Sequence, residues 1–271
     1  MQGFPRIIPA GEKISYLNRL LRVGFDTVET GSMVSSRIIP QMADSLDVMK
    51  QLDLAGTSSN IMFLVVNTRG AEQLAKVNEI THISYPFSFS PTFLELNVRS
   101  TVEQSLETAK FVTGLCKQTT KQAVIYISLA FGNPYGDPWS VNMLAKWVGK
   151  LYMAGARIIP LSNVSIEIDV PVISEVFSTL IPMFPDVEFG LHLHTTNQGW
   201  HEKADAAYLA GCRRFDGVIS GLGGCPMAGK EMLGNLDTEN LIAFAEEKEA
   251  LGSINKKALE EAYLAAREIF K

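Results

Sequence analysis

The stretch VEFGLHLH, residues 187–194, predicts a buried β-strand that ends in a pair of histidines. Residues i and i+2 of a strand lie on the same side, so His192 and His194 are expected to face the same way. Two imidazoles at the carboxyl end of a strand are well placed to bind one metal ion. The alternative is a pair of hydrogen-bonded histidines at the rim of the core.

Short apolar runs of this kind alternate with longer helical patterns along the whole chain. Such runs are typical of parallel strands that are covered on both faces. Seven strands are predicted, at residues 27–34, 61–66, 80–85, 123–130, 156–161, 187–192 and 217–220. Helices are predicted near residues 11–23, 41–51, 70–76, 101–117, 139–153, 171–183, 199–210, 237–249 and 256–268.

This alternation fits either a (β/α)8 barrel or a doubly wound sheet. No G-x-G-x-x-G motif follows the first predicted strand, which argues against a dinucleotide-binding sheet. Polar residues collect after the ends of several strands, as at the mouth of a barrel. We therefore predict an α/β fold, a single TIM-barrel catalytic domain over residues 1–271. The polar residues are Glu29, Ser32, Asn67, Asn133, Asn163, His192, His194 and Cys225.

The number of predicted strands is one short of a complete barrel. The chain begins with the loop-like stretch MQGFP, residues 1–5, and then enters a helix. The first strand of the barrel is therefore missing from this sequence.

The composition excludes several classes of protein. A net charge of −5 without long runs of either sign argues against a nucleic-acid or anionic-membrane surface. No apolar run is long enough to predict a transmembrane helix, and the first residues lack the pattern of a signal peptide. Three widely spaced cysteines do not form a disulfide framework, which favours a cytoplasmic location.

Four further positions are candidates for function, each with a structural alternative. Glu29 could orient a catalytic group or form a salt bridge at the rim. Cys225, in the glycine-rich loop GLGGCP, is a candidate acid or base, or part of an ordinary tight turn. Asn235 could supply an oxygen ligand to a divalent cation or cap a helix. Asn133, followed by Pro134, mainly indicates a turn, and a loop that contacts the substrate is the second interpretation.

Five motifs, in this order, resemble the 3-hydroxy-3-methylglutaryl-CoA lyase family of metal-dependent barrels. The resemblance covers about residues 1–251, and the GLGGCP loop favours the lyase over the related Claisen-type synthases. The motifs are VETGSMVSSRIIPQMAD (28–44), YISLAFGNPYG (126–136), LHLHT (191–195), GLGGCP (221–226) and GNLDTENL (234–241).

The resemblance implies a (β/α)8 barrel that binds Mg²⁺ or Mn²⁺. It implies that Glu29 supports a catalytic arginine, that Cys225 belongs to a flexible active-site loop, and that Ser32 lies near the acyl group. The implied reaction is retro-Claisen cleavage of a 3-hydroxyacyl-CoA to acetyl-CoA and a keto acid, by an enzyme that forms a homodimer. The implied metal ligands are His192, His194 and Asn235.

The sequence departs from the family pattern at three places. The family's Arg-Asp pair, an enolate-stabilising arginine and a metal-binding aspartate, would fall just before residue 1, which suggests that Met1 is an internal methionine. Thr195 and Asn163 replace acidic residues, which removes negative charge near the metal. These departures leave two alternatives open: a related aldolase or Claisen-type acyltransferase, and a non-catalytic barrel that binds a metabolite.

Overall fold

The computed structural model describes residues 1–164, 166–196, 198–223 and 233–271. Their strands are β1 (Thr27–Met33), β2 (Asn60–Val65), β3 (His82–Phe87), β4 (Gln122–Ser128), β5 (Ile158–Ser162), β6 (Glu188–His192), β7 (His194–Thr195), β8 (Arg214–Asp216) and β9 (Gly234–Asn235). Seven of them form one parallel sheet in the order β1-β2-β3-β4-β5-β6-β8. Strands β7 and β9 pair antiparallel in a separate small sheet.

Helices precede, connect and follow the strands of the parallel sheet. They are α1 (Ala10–Leu21), α2 (Ser45–Met49), α3 (Thr68–Leu74), α4 (Pro91–Val98), α5 (Val102–Gln118), α6 (Val141–Met153), α7 (Val170–Met183), α8 (Trp200–Leu209), α9 (Thr238–Glu247) and α10 (Lys256–Ile269). Helix α4 was absent from the predicted set, although Ser90 caps it and Pro91 begins it. None of the helices in the described ranges is long and apolar enough to span a membrane.

The parallel sheet is curled. The curl is evident from side chains of non-neighbouring strands, which meet in its interior. The Tyr126 hydroxyl on β4 donates a hydrogen bond of 2.8 Å to Asp216 on β8, across β5 and β6. The Ser84 hydroxyl on β3 donates to Glu29 on β1, across β2. The predicted barrel-like α/β architecture with seven strands is confirmed. Within the described ranges no pairing joins β1 to β8, so the curl is open between them.

The last strand of the sheet is not where the sequence predicted it. It is Arg214–Asp216, and a 3-10 turn (Ile219–Gly221) begins in the second half of the predicted 217–220 segment. The strand was missed because two of its three residues are charged, whereas the prediction relied on runs of apolar residues. Arg214 is tolerated inside because its guanidinium lies 2.8 Å from Glu188 on β6 and 3.9 Å from Asp216.

The segment before α1 is held against the open side of the sheet. The buried Gln41 side chain accepts a hydrogen bond from the Ile8 amide and donates one to the Arg6 carbonyl. Gln2 reaches the Ser32 hydroxyl at 3.2 Å, beside the carboxyl end of β1. This places the first residues of the chain next to the functional end of the sheet.

Gly31 shapes the end of β1 that carries Glu29 and Ser32. The pairing of β1 with β2 shifts between Glu29 and Gly31, which forms a bulge. A Cβ atom at Gly31 would lie 2.6 Å from the ring of Phe63, which is fully buried, and 3.0 Å from Cβ of Ser45. The close packing of this bulge therefore requires glycine.

We predict that Gly31→Ala lowers the free energy of unfolding by about 1–3 kcal/mol, because the added methyl group overpacks the core. Gly114→Ala is the matched control, since Gly114 lies inside α5 with no atom within 4 Å of an added Cβ. That control is expected to be neutral or to stabilise by up to about 1 kcal/mol. Urea denaturation measures both variants, and equal stability of the two would contradict the prediction.

Candidate functional site at the carboxyl ends of the strands

His192, the last residue of β6, is oriented by two neighbours on other strands. Its Nδ1 atom lies 3.1 Å from Oδ2 of Asp216, and the same oxygen accepts the Tyr126 hydroxyl. The Tyr126 and His192 rings meet edge to face, with centroids 5.4 Å apart. A carboxylate only accepts hydrogen bonds, so Nδ1 is the protonated nitrogen, and Nε2 is available to another partner.

Asp216 keeps its charge in this interior position. Burial alone would raise the pKa of its carboxyl group, but the hydrogen bond and charge attraction of His192 oppose burial, and so does Arg214. The net effect is a pKa below the ordinary value of aspartate. Asp216 is therefore an anionic acceptor that holds the His192 ring at neutral pH.

His194 is close to His192 but is not on the same strand. The main sheet ends at His192, and the Leu193 carbonyl accepts a hydrogen bond from the Leu236 amide. His194 then pairs with Asn235 in the β7–β9 ladder. The two imidazoles nevertheless remain neighbours, with ring centroids 5.1 Å apart. The expected pair is thus present, although a break in the strand separates its members.

The environment of His194 keeps its imidazole neutral. Burial, and after it the neighbouring His192, lower the pKa of His194 to about 3. Its Nδ1 atom is buried and has no hydrogen-bond partner among the described residues. A buried polar atom without a partner costs free energy, so this imidazole is suited to binding a group from outside the chain.

Asn235 lies opposite His194 in the β7–β9 register. Its amide nitrogen donates to the Leu222 carbonyl at 2.9 Å, which leaves the amide oxygen as the atom that can bind a cation or accept a further bond. The structure therefore places Asn235 beside the histidine pair. No group of three or more His, Cys, Asp or Glu side chains in the described part of the chain is arranged to hold a metal.

Glu29 faces the same interior from β1. It accepts the Ser84 hydroxyl at 3.3 Å. Loss of hydration inside the curl raises the pKa of the Glu29 carboxyl, and the nearby His192 opposes this increase. Glu29 is therefore part of the same electrostatic cluster as His192 and Asp216.

Ser32 contacts a neighbouring cleft. A cavity of about 450 Å³ opens at the carboxyl ends of β1 and β2, and its walls include Ser32, Asn67 and Arg69. Arg69 is exposed and gives this cleft a cationic edge. The cleft is large enough for a part of a small-molecule substrate.

Two other predicted residues are not joined to this cluster by the described contacts. The Asn133 side chain accepts the Tyr135 amide at 2.8 Å, which is the predicted turn after β4. Cys225 lies outside the described residues.

The sequence reasoning missed Tyr126 and Asp216. Their signal was a tyrosine within the apolar run of β4 and an aspartate at the end of β8, and Asp216 was hidden by the misplacement of the last strand.

Comparison with known proteins gives consistent matches over most of the chain. The profile of the HMGL-like family matches residues 2–264. The (R)-citramalyl-CoA lyase of Chloroflexus aurantiacus is 30% identical over 256 residues, which cover 89% of this chain and 78% of that protein. The hydroxymethylglutaryl-CoA lyase YngG of Bacillus subtilis is 27% identical over 259 residues, covering 96% and 86% of the two chains.

Solved structures agree with these sequence matches. An HMG-CoA lyase from Acinetobacter baumannii, in complex with coenzyme A and 3-methylmalate, superimposes with a TM-score of 0.89 at 26% identity. The superposition covers 99% of this chain and 87% of that one. The similarity therefore extends over the sheet and the site at its carboxyl end.

We predict that His194 makes the metal-free protein sensitive to acid. Its folded pKa of about 3 lies below the value of about 6.5 expected in the unfolded chain, so the unfolded state binds an extra proton between these values. Stability therefore falls as the pH falls through this window, by up to about 1.4 kcal/mol per pH unit. Replacing the imidazole with an amide, His194→Gln, should remove most of this slope.

Urea denaturation in the presence of a chelator, from about pH 6 to about pH 5, measures the slope. His201→Gln is the control, because the His201 side chain is 42% exposed on α8 and contacts Glu247 of α9. If His194→Gln and the unsubstituted protein lost stability with the same slope, the predicted linkage would be wrong.

Proposed function

The chain belongs to the HMGL-like family, and from this we propose that it is a carbon–carbon lyase acting on a short 3-hydroxyacyl-CoA. The products are acetyl-CoA and a keto acid. The observation that carries the proposal is the His192–His194 pair. One ring is oriented by Asp216, and the other is buried and neutral, with an Nδ1 atom that has no partner in the described part of the chain. That pair lies at the carboxyl ends of the strands, where barrel enzymes assemble their active sites.

The proposed reaction is a retro-Claisen cleavage. A base removes the proton of the substrate's 3-hydroxyl group, the bond between C2 and C3 breaks, and the 3-hydroxyl carbon becomes the carbonyl of the keto acid. The electron pair of the broken bond forms the enolate of acetyl-CoA. An acid then protonates C2 of that enolate, which completes acetyl-CoA.

The residues present fit a divalent cation. His192 offers Nε2, His194 is a neutral imidazole, and Asn235 offers an amide oxygen. We propose these three residues as the ligands and Mg²⁺ or Mn²⁺ as the ion. When bound, such an ion supplies Lewis-acid chemistry that lowers the pKa of a hydroxyl group.

The other residues have distinct proposed roles. Asp216 fixes the ring of His192 and the tautomer that exposes Nε2. Glu29 lies in the same cluster and would position the cationic group that stabilises the enolate. Ser32 lines the cleft at the ends of β1 and β2, which would receive the acyl-CoA, with Arg69 near its phosphate groups. We retain Cys225 as a candidate catalytic acid or base, and Asn133 as a substrate-binding residue.

The names of the relatives favour a branched, short acyl group on coenzyme A. A single catalytic domain over residues 1–271, a cytoplasmic location and a homodimer stay predictions. No contact in the described part of the chain bears on a nucleic-acid or membrane partner.

We predict that the protein releases acetyl-CoA from citramalyl-CoA or 3-hydroxy-3-methylglutaryl-CoA and that His192→Ala lowers the rate at least 100-fold, as expected when a ligand is removed. Mass spectrometry of the CoA products measures this. His201→Ala is the matched control, since His201 is an exposed histidine on α8. Mn²⁺ binding, followed by electron paramagnetic resonance, should also be lost in His192→Ala and retained in His201→Ala.

The two alternative functions give different results in the same assay. Tight binding of the acyl-CoA without acetyl-CoA release would favour a non-catalytic, metabolite-binding barrel. Condensation of acetyl-CoA with a 2-oxo acid, without cleavage of the C2–C3 bond of citramalyl-CoA or 3-hydroxy-3-methylglutaryl-CoA, would favour a Claisen-type acyltransferase. Unchanged Mn²⁺ affinity in His192→Ala would remove the proposed ligand set.

A second prediction concerns Asp216. Replacing it with asparagine keeps an oxygen acceptor for His192 but removes the negative charge that faces Nδ1 and fixes the ring, so Mn²⁺ affinity should fall about tenfold. Asp186→Asn is the matched control, because Asp186 also accepts a tyrosine hydroxyl, from Tyr152, at the protein surface. Equal Mn²⁺ affinities of the two variants would show that Asp216 does not tune the proposed ligand.

A further inference from the structure

Asn163 forms hydrogen bonds to both backbone groups of His194. Its Oδ1 atom accepts the His194 amide at 2.7 Å, and its Nδ2 atom donates to the His194 carbonyl at 2.6 Å. The same Nδ2 atom donates to the Ile166 carbonyl at 2.7 Å. The Asn163 side chain is almost fully buried, with 1% of the residue exposed.

The hydrogen bonds from Asn163 to His194 take the place of strand pairing beyond the end of β5. Strand β5 pairs with β6 as far as Ser162 and His192. Beyond that point the β5 chain turns away, and Val164 takes a left-handed φ of 67°, a strained conformation for a β-branched residue. The amide and carbonyl of His194 would then be left without a partner on this side. The Asn163 side chain supplies the donor and the acceptor that the next residue of β5 would otherwise have offered.

The residues after His194 are fixed from the opposite side. Successive strand residues point to opposite faces, so Thr195 points away from the His194 imidazole. The buried Lys203 of α8 donates to the Thr195 hydroxyl at 3.2 Å and forms an ion pair with Glu167. Glu167 also accepts the Thr196 amide at 2.8 Å. Thus Asn163 holds the backbone of His194, and the Glu167–Lys203 pair holds the segment that follows.

We propose that Asn163 is a positioning residue that sets the place of the His194 imidazole for ligand binding, an inference that rests on the proposed function. The role requires a neutral amide. An aspartate at this position could accept the His194 amide but could not donate to the carbonyls of His194 and Ile166, and its charge would face both oxygens. Asn163, in place of an acidic residue, therefore removes a negative charge near the proposed metal and adds a hydrogen bond to the His194 carbonyl.

The test compares Asn163→Asp with Asn60→Asp. Asn60 is the matched control, because its Nδ2 atom also donates to a backbone carbonyl, that of Asp26, at the far end of β2. Mn²⁺ affinity, measured by electron paramagnetic resonance, is expected to fall at least tenfold in Asn163→Asp and to stay unchanged in Asn60→Asp. A higher Mn²⁺ affinity in Asn163→Asp would overturn the proposal, since added charge would then outweigh lost support.

A second measurement does not depend on metal binding. Amide hydrogen exchange at His194, followed by NMR, is expected to accelerate at least tenfold in Asn163→Ala and to stay unchanged in Asn60→Ala. If the unsubstituted protein bound no Mn²⁺, the proposed metal site would fail, whereas the exchange rates would still decide the role of Asn163. Unchanged exchange at His194 in a folded Asn163→Ala protein would refute that role.

Discussion

The site depends on the Asp216 carboxylate, where three strands of the curled sheet meet. Its Oδ2 atom accepts Tyr126 from β4 and His192 from β6, while Asp216 itself ends β8. A buried carboxylate is stable only when hydrogen bonds and positive charge replace its hydration. Tyr126, His192 and Arg214 supply them, and they hold the pKa of Asp216 low against the effect of burial. The same contacts that keep Asp216 charged bring the last strand across the interior and orient the proposed ligand.

Around this carboxylate the protein uses two means to place the histidine pair. His192 is held through its side chain, by a charged acceptor that selects the tautomer. His194 is held through its backbone, by Asn163 on one side and the β9 ladder on the other. Its own imidazole is left neutral, and its Nδ1 atom has no hydrogen-bond partner among the residues that the structure describes. The His192 ring is thus fixed in orientation. The His194 ring is fixed in position through its backbone, and its nitrogen atoms can bind a ligand.

Strand β1, at the open side of the curl, carries several polar side chains of the site. Glu29 faces the interior, Ser32 lines the adjacent cleft, and Gln2 contacts Ser32 from the segment before α1. The bulge at Gly31 lets β1 pack tightly on Phe63 while these side chains point towards the site. Packing and function are therefore coupled in this strand.

The sequence by itself determined the strand–helix order, because runs of apolar and β-branched residues between turn signals are local features. The first six strands lie within two residues of their predicted ends, and the histidine pair and Asn235 come together as the motif indicated. Only the tertiary structure decided the last strand, because partners on other strands allow the charged Arg214 and Asp216 to be partly buried. It also decided that the HxH strand breaks at Leu193, where an amide from Leu236 intervenes. In the sequence, Asn163 stood only as the replacement of an acidic residue. Its role as a partner of the His194 backbone depends on the fold, which brings these two distant residues together.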